Sequence, residues 1–531
     1  MKIYKTLIST LLLALLTTFS ATAGEADTTT PAAAVKSDKG SPTLEVKLQS
    51  GEKWWGLVVN TGNITLPFEL PFTINTATLS PTLYKANMLL SNRGRYIWSA
   101  TPLTVSYDGK KLTVVANGAA QAPAVHKSGR TLREAYLMCC HKNFPPKELS
   151  APELLFGAPI YELGGEDALL YTQSDVEAFA DMLIERGAPG GTILLPMGWN
   201  SPSGAPTSDL EAFPTPKDMV EKLHAKGMRV MLTVTPYVMA AGRGFQQSRK
   251  AGALICDTAG EPTVFQTRLG YTACRRLTPE SAQEINTALK GLQQQTGVDG
   301  FYLDCLDALP LLNDQPDKLE QFLATWHSVG DNLGAVILCT PSSRQLGEAA
   351  SSVTTSRTAS WSSLQAGLET AVEASVLGFS RTCIAADLNF AGEDNEALIL
   401  RTAQLAATMP IAIIPYSVWG LSDTKAVDEL LLWRAEMGSY YLSLARQGAT
   451  SAEPIIRHLE YQFPRTGFTN CRDQFMLGDK YLIAPVVEEG ARRMVRLPKG
   501  KWADQSGRII KGPRVIDVDV SAGKMAIFKA N

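Results

Sequence analysis

Between residues 156 and 414, short apolar runs alternate eight times with polar-faced stretches about ten to twenty residues long. The runs are Phe156–Tyr161, Thr192–Pro196, Arg229–Thr235, Gly300–Asp304, Ala335–Cys339, Ser352–Thr355, Thr382–Asp387 and Met409–Ile414. Between them, apolar residues recur at helical spacing over Asp175–Arg186, Pro216–Lys226, Pro279–Gln295, Lys318–Leu333 and Leu364–Leu377. Strand and helix in strict alternation build parallel β/α units. Eight such units predict a closed (β/α)8 TIM barrel over residues 156–449, with active-site side chains at the C-terminal ends of its strands.

The flanks read differently. Residues 43–155 alternate apolar and polar positions, as in Leu103-Thr104-Val105-Ser106-Tyr107. Asp108-Gly109 followed by Lys111-Leu112-Thr113-Val114-Val115 is a hairpin signal. This predicts an N-terminal β-sandwich. After a helix over Val427–Arg446, residues 450–531 return to strand-like runs with Gly-rich turns and predict a C-terminal β-sandwich.

The N-terminus predicts export. Lys2 and Lys5 precede an apolar run from Leu7 to Leu16, and Ala21-Thr22-Ala23 fits signal-peptide cleavage before Gly24. The run is shorter than the roughly 20 residues of a membrane span, so no membrane insertion is expected after cleavage. A periplasmic or extracellular location follows, with residues 24–42 as a Thr-, Ala- and Pro-rich flexible linker. A net charge of −2 argues against nucleic acid as partner. Five scattered His and eight Cys without C-x-x-C spacing argue against a zinc site. Cys305, Cys339 and Cys383 lie in or beside apolar runs and read as buried small hydrophobes.

Two predicted barrel strands close on acids. Asp304 ends Gly300-Phe301-Tyr302-Leu303, with Asp307 three residues on, and Asp387 ends Thr382-Cys383-Ile384-Ala385-Ala386. Paired carboxyl groups on one barrel rim point to a sugar site, because two carboxyl groups cleave a glycosidic bond. Asp304 as a mere cap of the following turn is the competing reading. Asp299, before a Gly, reads as a turn residue. Trp199, Tyr237, Trp361 and Trp419 are candidates for stacking on sugar rings or for ordinary packing.

These residues bring a family into view. Glu453-Pro454-Ile455-Ile456-Arg457, Glu460-Tyr461-Gln462-Phe463-Pro464, Asp473-Gln474-Phe475-Met476-Leu477-Gly478-Asp479 and Leu482-Ile483-Ala484-Pro485-Val486 resemble the C-terminal motifs of glycoside hydrolase family 31, and Arg493 to Gly500-Lys501-Trp502 continues the likeness. Within the family, the chain is most similar to the branch of α-galactosidase-like and myogenesis-regulating glycosidase-like proteins. The resemblance implies a retaining double displacement on α-glycosides without metal or organic cofactor. It makes Asp304 similar to the nucleophile, Asp307 to the acid three places after it, and Asp387 to the seventh-strand Asp that binds substrate hydroxyls.

The sequence also departs from the family pattern. The acid/base Asp, five residues before Trp361, is Ser356, with Arg357 beside it, and no Asp or Glu lies between Glu348 and Glu369. The second strand's acids are replaced by Pro196-Met197-Gly198-Trp199. Tyr302 stands where the branch has Lys, and Leu163-Gly164 where the family has Thr-Trp. Serine cannot serve as general acid at neutral pH, and such help contributes about 10²–10⁴ in rate. The expected partner is an oligosaccharide or glycoside, either hydrolysed or bound without hydrolysis; a structural, partner-binding role is a third reading.

Overall fold

In the computed structural model, eight parallel strands form one sheet. They are β1 (Ile160–Glu162), β2 (Thr192–Leu195), β3 (Arg229–Val234), β4 (Gly300–Leu303), β5 (Ala335–Leu338), β6 (Ala350–Val353), β7 (Thr382–Ile384) and β8 (Ile413–Ile414). Described are residues 42–59, 64–148, 151–164, 171–200, 209–267, 270–312, 315–341, 346, 350–353, 360–384, 395–521 and 523–531. Strand pairing runs continuously from β7 through β6 down to β1 and on to β8. The backbone N–H of Ile411 donates to Thr382 O at 3.2 Å and so draws β8 toward β7. The eight expected strands are all present, as a near-closed barrel.

The strands are short, and β2 and β4 are buried on both faces, as a parallel sheet wrapped by helices requires. Helices cover the outside, including Gln173–Glu185, Pro216–Ala225, Pro279–Thr296, Pro316–Ser328, Trp361–Ser375 and Glu396–Thr408. Their starts are chemically marked. Thr172 and Asp175 form a capping box, Thr278 caps Ser281 N, and Pro216, Pro279 and Pro316 occupy the first helical position. The long helix Thr424–Ser451 is tied to the barrel by Arg434. Its fully buried guanidinium donates to Phe156 O and Pro410 O, both at 3.1 Å, and stacks on Tyr441.

The N-terminal flank holds two antiparallel four-stranded sheets. One joins Thr43–Lys47, Lys111–Ala116, Leu103–Tyr107 and Phe72–Asn75; the other joins Trp54–Val58, Lys85–Ser91, Arg95–Trp98 and His126–Lys127. The expected 107–111 hairpin is there, with Tyr107 opposite Leu112. A helix, Leu132–Asn143, follows. Its low amphipathicity hid it, although Thr131 and Glu134 form a legible start: Thr131 accepts from Glu134 N. C-terminally, strands from Ile456 to Ala530 join in one six-stranded antiparallel sheet. One face packs on Leu459, Phe468 and Cys471.

One element was not expected. Between β3 and the helix Pro279–Thr296, Tyr237–Met239, Val264–Thr267 and Gly270–Cys274 form a separate three-stranded antiparallel sheet, with a short helix, Arg243–Lys250, after its first strand. It continues directly from the C-terminal end of β3.

Candidate active site

Side-chain direction on β4 is fixed by packing on the outer layer. A Cβ on Gly330, behind the helix Pro316–Ser328, would meet Leu303 Cδ1 and Val336 Cγ1 at 3.3 and 3.0 Å. Leu303 and Val336 therefore face the helices. By strand alternation, Tyr302 and Asp304 face the barrel interior, as do Ile337 on β5 and Cys339 just after it. Gly300 is needed where the strands start, because a Cβ there would lie 2.6 Å from Ala335 O.

Asp304 follows the last residue of β4, and its N–H still donates to Val234 O of β3 at 2.9 Å. The carboxyl group is half-buried at the C-terminal rim. Its Oδ1 accepts from Leu306 N at 3.0 Å, an Asx-type turn that leads into the short 3-10 helix Leu306–Leu311. Both readings of Asp304 thus have a physical basis: it caps the turn and it stands on the rim. Asp307 sits in the first turn of that 3-10 helix, half-buried.

Tyr237, the first residue of the inserted sheet, accepts from Ala308 N at 3.2 Å. Burial pushes its hydroxyl well above its ordinary pKa, and the charges of Asp304 and Asp307 push the same way. The phenol stays neutral and clamps the segment that carries both acids. Of the two readings open for Tyr237, sugar stacking or ordinary packing, the contacts favour packing: pairing with Cys274 places the ring against Phe265.

Trp199 is buried, and its indole N–H donates to Thr233 O of β3 at 2.7 Å. The turn before it passes through Gly198 at φ 117°, a conformation suited to Gly. Trp419 packs on Tyr161 and Phe179, with the Arg186 guanidinium 5.2 Å from its ring centroid. It belongs to the outer helical layer. Gly164 is explained by close approach: a Cβ there would lie 2.6 Å from Tyr416 Cβ. Tyr302 is buried within β4.

Trp361 opens the helix Trp361–Ser375, half-buried, with Ser360 Oγ accepting from Ser363 N at 3.1 Å. Near its far end, Glu373 is buried against Arg472, which also donates to Leu66 O at 2.7 Å. That arginine joins three parts of the chain, and sequence reasoning missed it. Ser356, Arg357 and Asp387 lie outside the described residues, as does the expected signal peptide. Asp299 is placed as expected of a structural residue: it sits before β4, accepts from Val230 N at 2.8 Å and contacts His224 Nε2 at 2.8 Å. Cys305, Cys339 and Cys383 are buried. Among the described residues, no group of three or more His, Cys, Asp or Glu could hold a metal, and no helix is long and apolar enough to cross a membrane.

Comparison with known proteins agrees with this architecture. Residues 157–328 match the TIM-barrel domain of glycosyl hydrolases family 31, and residues 452–529 match the C-terminal domain of glycosyl hydrolase family 31. Lysosomal alpha-glucosidase of Mus musculus is 24% identical over 361 residues, covering 56% of this chain and 38% of that protein. The myogenesis-regulating glycosidase of Mus musculus is 31% identical over 139 residues, covering 25% of this chain and 19% of that protein. This chain thus aligns with well under two thirds of either relative. A GH31 dextranase from Flavobacterium johnsoniae, solved with glucose, superposes with a TM-score of 0.74 at 15% identity, covering 93% of this chain and 67% of that one.

Proposed function

We propose that this chain, whose barrel and C-terminal domains belong to glycosyl hydrolase family 31, is an exported glycosidase that hydrolyses α-linked glycosides by a retaining double displacement. The observation that carries this reading is Asp304: a carboxylate facing the barrel interior at the C-terminal end of β4, on a segment held by Leu306 N and Tyr237. Relatives named alpha-glucosidase support the α-glycoside class.

In this reading an Asp304 oxygen attacks the anomeric carbon as the glycosidic C–O bond breaks. Water then attacks the same carbon from the opposite face, Asp304 leaves as a carboxylate, and the configuration is retained. The departing oxygen must gain a proton, and water must lose one. With Ser356 at the position of the usual acid, no side chain of that loop supplies either transfer. Substrates whose leaving groups need little protonation, such as aryl glycosides and glycosyl fluorides, are therefore the best ones. Asp387, Asp307, Trp361, Trp199, Tyr302 and Arg357 are proposed to shape the sugar pocket, with no metal or cofactor.

A second reading is favoured by one specific fact, the absence of any Asp or Glu between Glu348 and Glu369. In it the barrel binds oligosaccharide without cleaving it. A panel of aryl α-glycosides, run beside calorimetry on free oligosaccharides, separates the two. Turnover that disappears in Asp304→Asn supports the enzyme; saccharide binding with no turnover of any aryl glycoside supports the binding protein.

A further inference from the structure

Unassigned chemistry lies directly beside the Asp304 backbone. Leu303 is opposite Leu338 in the β4–β5 register, so the next residues, Asp304 and Cys339, are level on neighbouring strands. Cys339 N donates to Leu303 O at 3.0 Å. Cys305 N donates back to Cys339 Sγ at 3.3 Å, and the two sulfurs are 3.5 Å apart. Both residues are buried, at 0% and 2% exposure, and the proposed displacement uses neither.

We propose that Cys305 and Cys339 are a redox-active thiol pair whose disulfide joins the ends of β4 and β5 and displaces Asp304. The displacement part of this inference rests on the glycosidase reading; the linkage itself does not. Parallel neighbouring strands hold the two residues in a fixed relation, so closure needs no long-range rearrangement. A disulfide requires about 2.05 Å between sulfurs, so the 3.5 Å gap must close by roughly 1.5 Å, shared between rotation of the two side chains and movement of the strand ends. Asp304 is covalently attached to one of them, and a misplacement of about 1 Å costs roughly 100-fold in rate.

The oxidant is a small-molecule disulfide such as oxidised glutathione. One cysteine thiolate attacks it, forming a mixed disulfide and releasing one glutathione thiolate. The second cysteine then attacks the protein sulfur of that mixed disulfide and releases the other glutathione. Two protein thiols and one glutathione disulfide become one protein disulfide and two glutathione thiols, so electrons and protons balance. Burial holds the Cys305 thiol well above its ordinary pKa, which makes the exchange slow and calls for measurement at equilibrium.

The full-length protein is equilibrated in glutathione buffers from fully reducing to fully oxidising, quenched with an alkylating reagent, digested and mapped. The expected result is a peptide pair joined through Cys305 and Cys339 in oxidising buffers and absent in reducing ones. Hydrolysis of an aryl α-glycoside falls about 100-fold as the linked peptide accumulates, recovers with reductant, and in Cys339→Ser does not respond to the buffer. The proposal is overturned if both cysteines stay alkylated at every ratio, if Cys305 is joined to Cys274 instead, or if the link forms with no change in turnover. Should the reduced protein have no turnover at all, the glycosidase reading fails; peptide mapping still decides the link, and saccharide affinity then reports its effect.

Discussion

Arg472 Nε lies 2.9 Å from Glu373 Oε1, an ion pair between the C-terminal region and the barrel helix that begins at Trp361. Burial pushes the Glu373 carboxyl up to about 8, and the guanidinium pulls the other way without offsetting it. The same arginine holds Leu66 O. Above pH 8, where Glu373 is ionised, Arg472→Ala should destabilise the fold by about 3 kcal/mol, the usual cost of leaving a buried charge unpaired. A carboxyl raised in the folded state contributes stability at low pH and loses it as pH rises through its folded pKa. The Arg472→Ala penalty should accordingly be larger at pH 9 than at pH 6, and Glu373→Gln in the same chain should remove that difference. Thermal melts across pH check it.

Acid sensitivity should come from two buried histidines. Burial lowers His327 from its ordinary 6.5 to about 4 and His458 to about 3. Both fold neutral, so the unfolded chain binds the extra protons and stability falls as pH drops below 6.5. His327 alone should remove about 3 kcal/mol by pH 4. Denaturant midpoints measured at pH 7, 5.5 and 4 should decline progressively; a flat profile would refute the assignment of buried neutral histidines.

Tyr237→Phe removes the oxygen that accepts from Ala308 N. Leaving that N–H unpaired should cost about 1–2 kcal/mol of stability. If Tyr237 positions Asp304, kcat on an aryl α-glycoside should drop about tenfold or more with little change in KM, because ground-state sugar contacts stay in place. A rise in KM alone would mark Tyr237 as a substrate contact instead.

Much of the fold could be read from the sequence, because alternation of apolar runs and helical stretches reports burial directly. The β4 strand and its terminal Asp304 are the clearest case: four apolar residues end in a carboxylate on the rim. The helix Leu132–Asn143 was missed although Thr131 and Glu134 mark its start, since its faces carry weak contrast in hydrophobicity. The inserted sheet from Tyr237 to Cys274 was missed because its strands are short and partly exposed. Trp419 shows why aromatic content is a poor guide to a sugar pocket: its ring is occupied by Arg186 and Phe179. The Arg472–Glu373 pair joins residues about a hundred positions apart, and no local pattern announces it.

Ser356→Asp should raise hydrolysis of unactivated α-glycosides if an acid is all that the site lacks. Gains of about 10²–10⁴ are typical of general acid help. Arg357 is next in sequence, and a neighbouring guanidinium lowers a carboxyl pKa, so the gain should be largest at acidic pH. Turnover of natural disaccharides by the unaltered chain, at rates matching aryl glycosides, would mean that another acid is recruited.

The most direct test of the central claim is covalent trapping. The protein is incubated with a 5-fluoro glycosyl fluoride of α configuration, which forms the glycosyl-enzyme faster than water can release it, and the labelled peptide is mapped by mass spectrometry. The account predicts one glycosyl group, carried on Asp304 and absent in Asp304→Asn. Label on a different carboxylate, or no label in a protein that binds oligosaccharides, would contradict it.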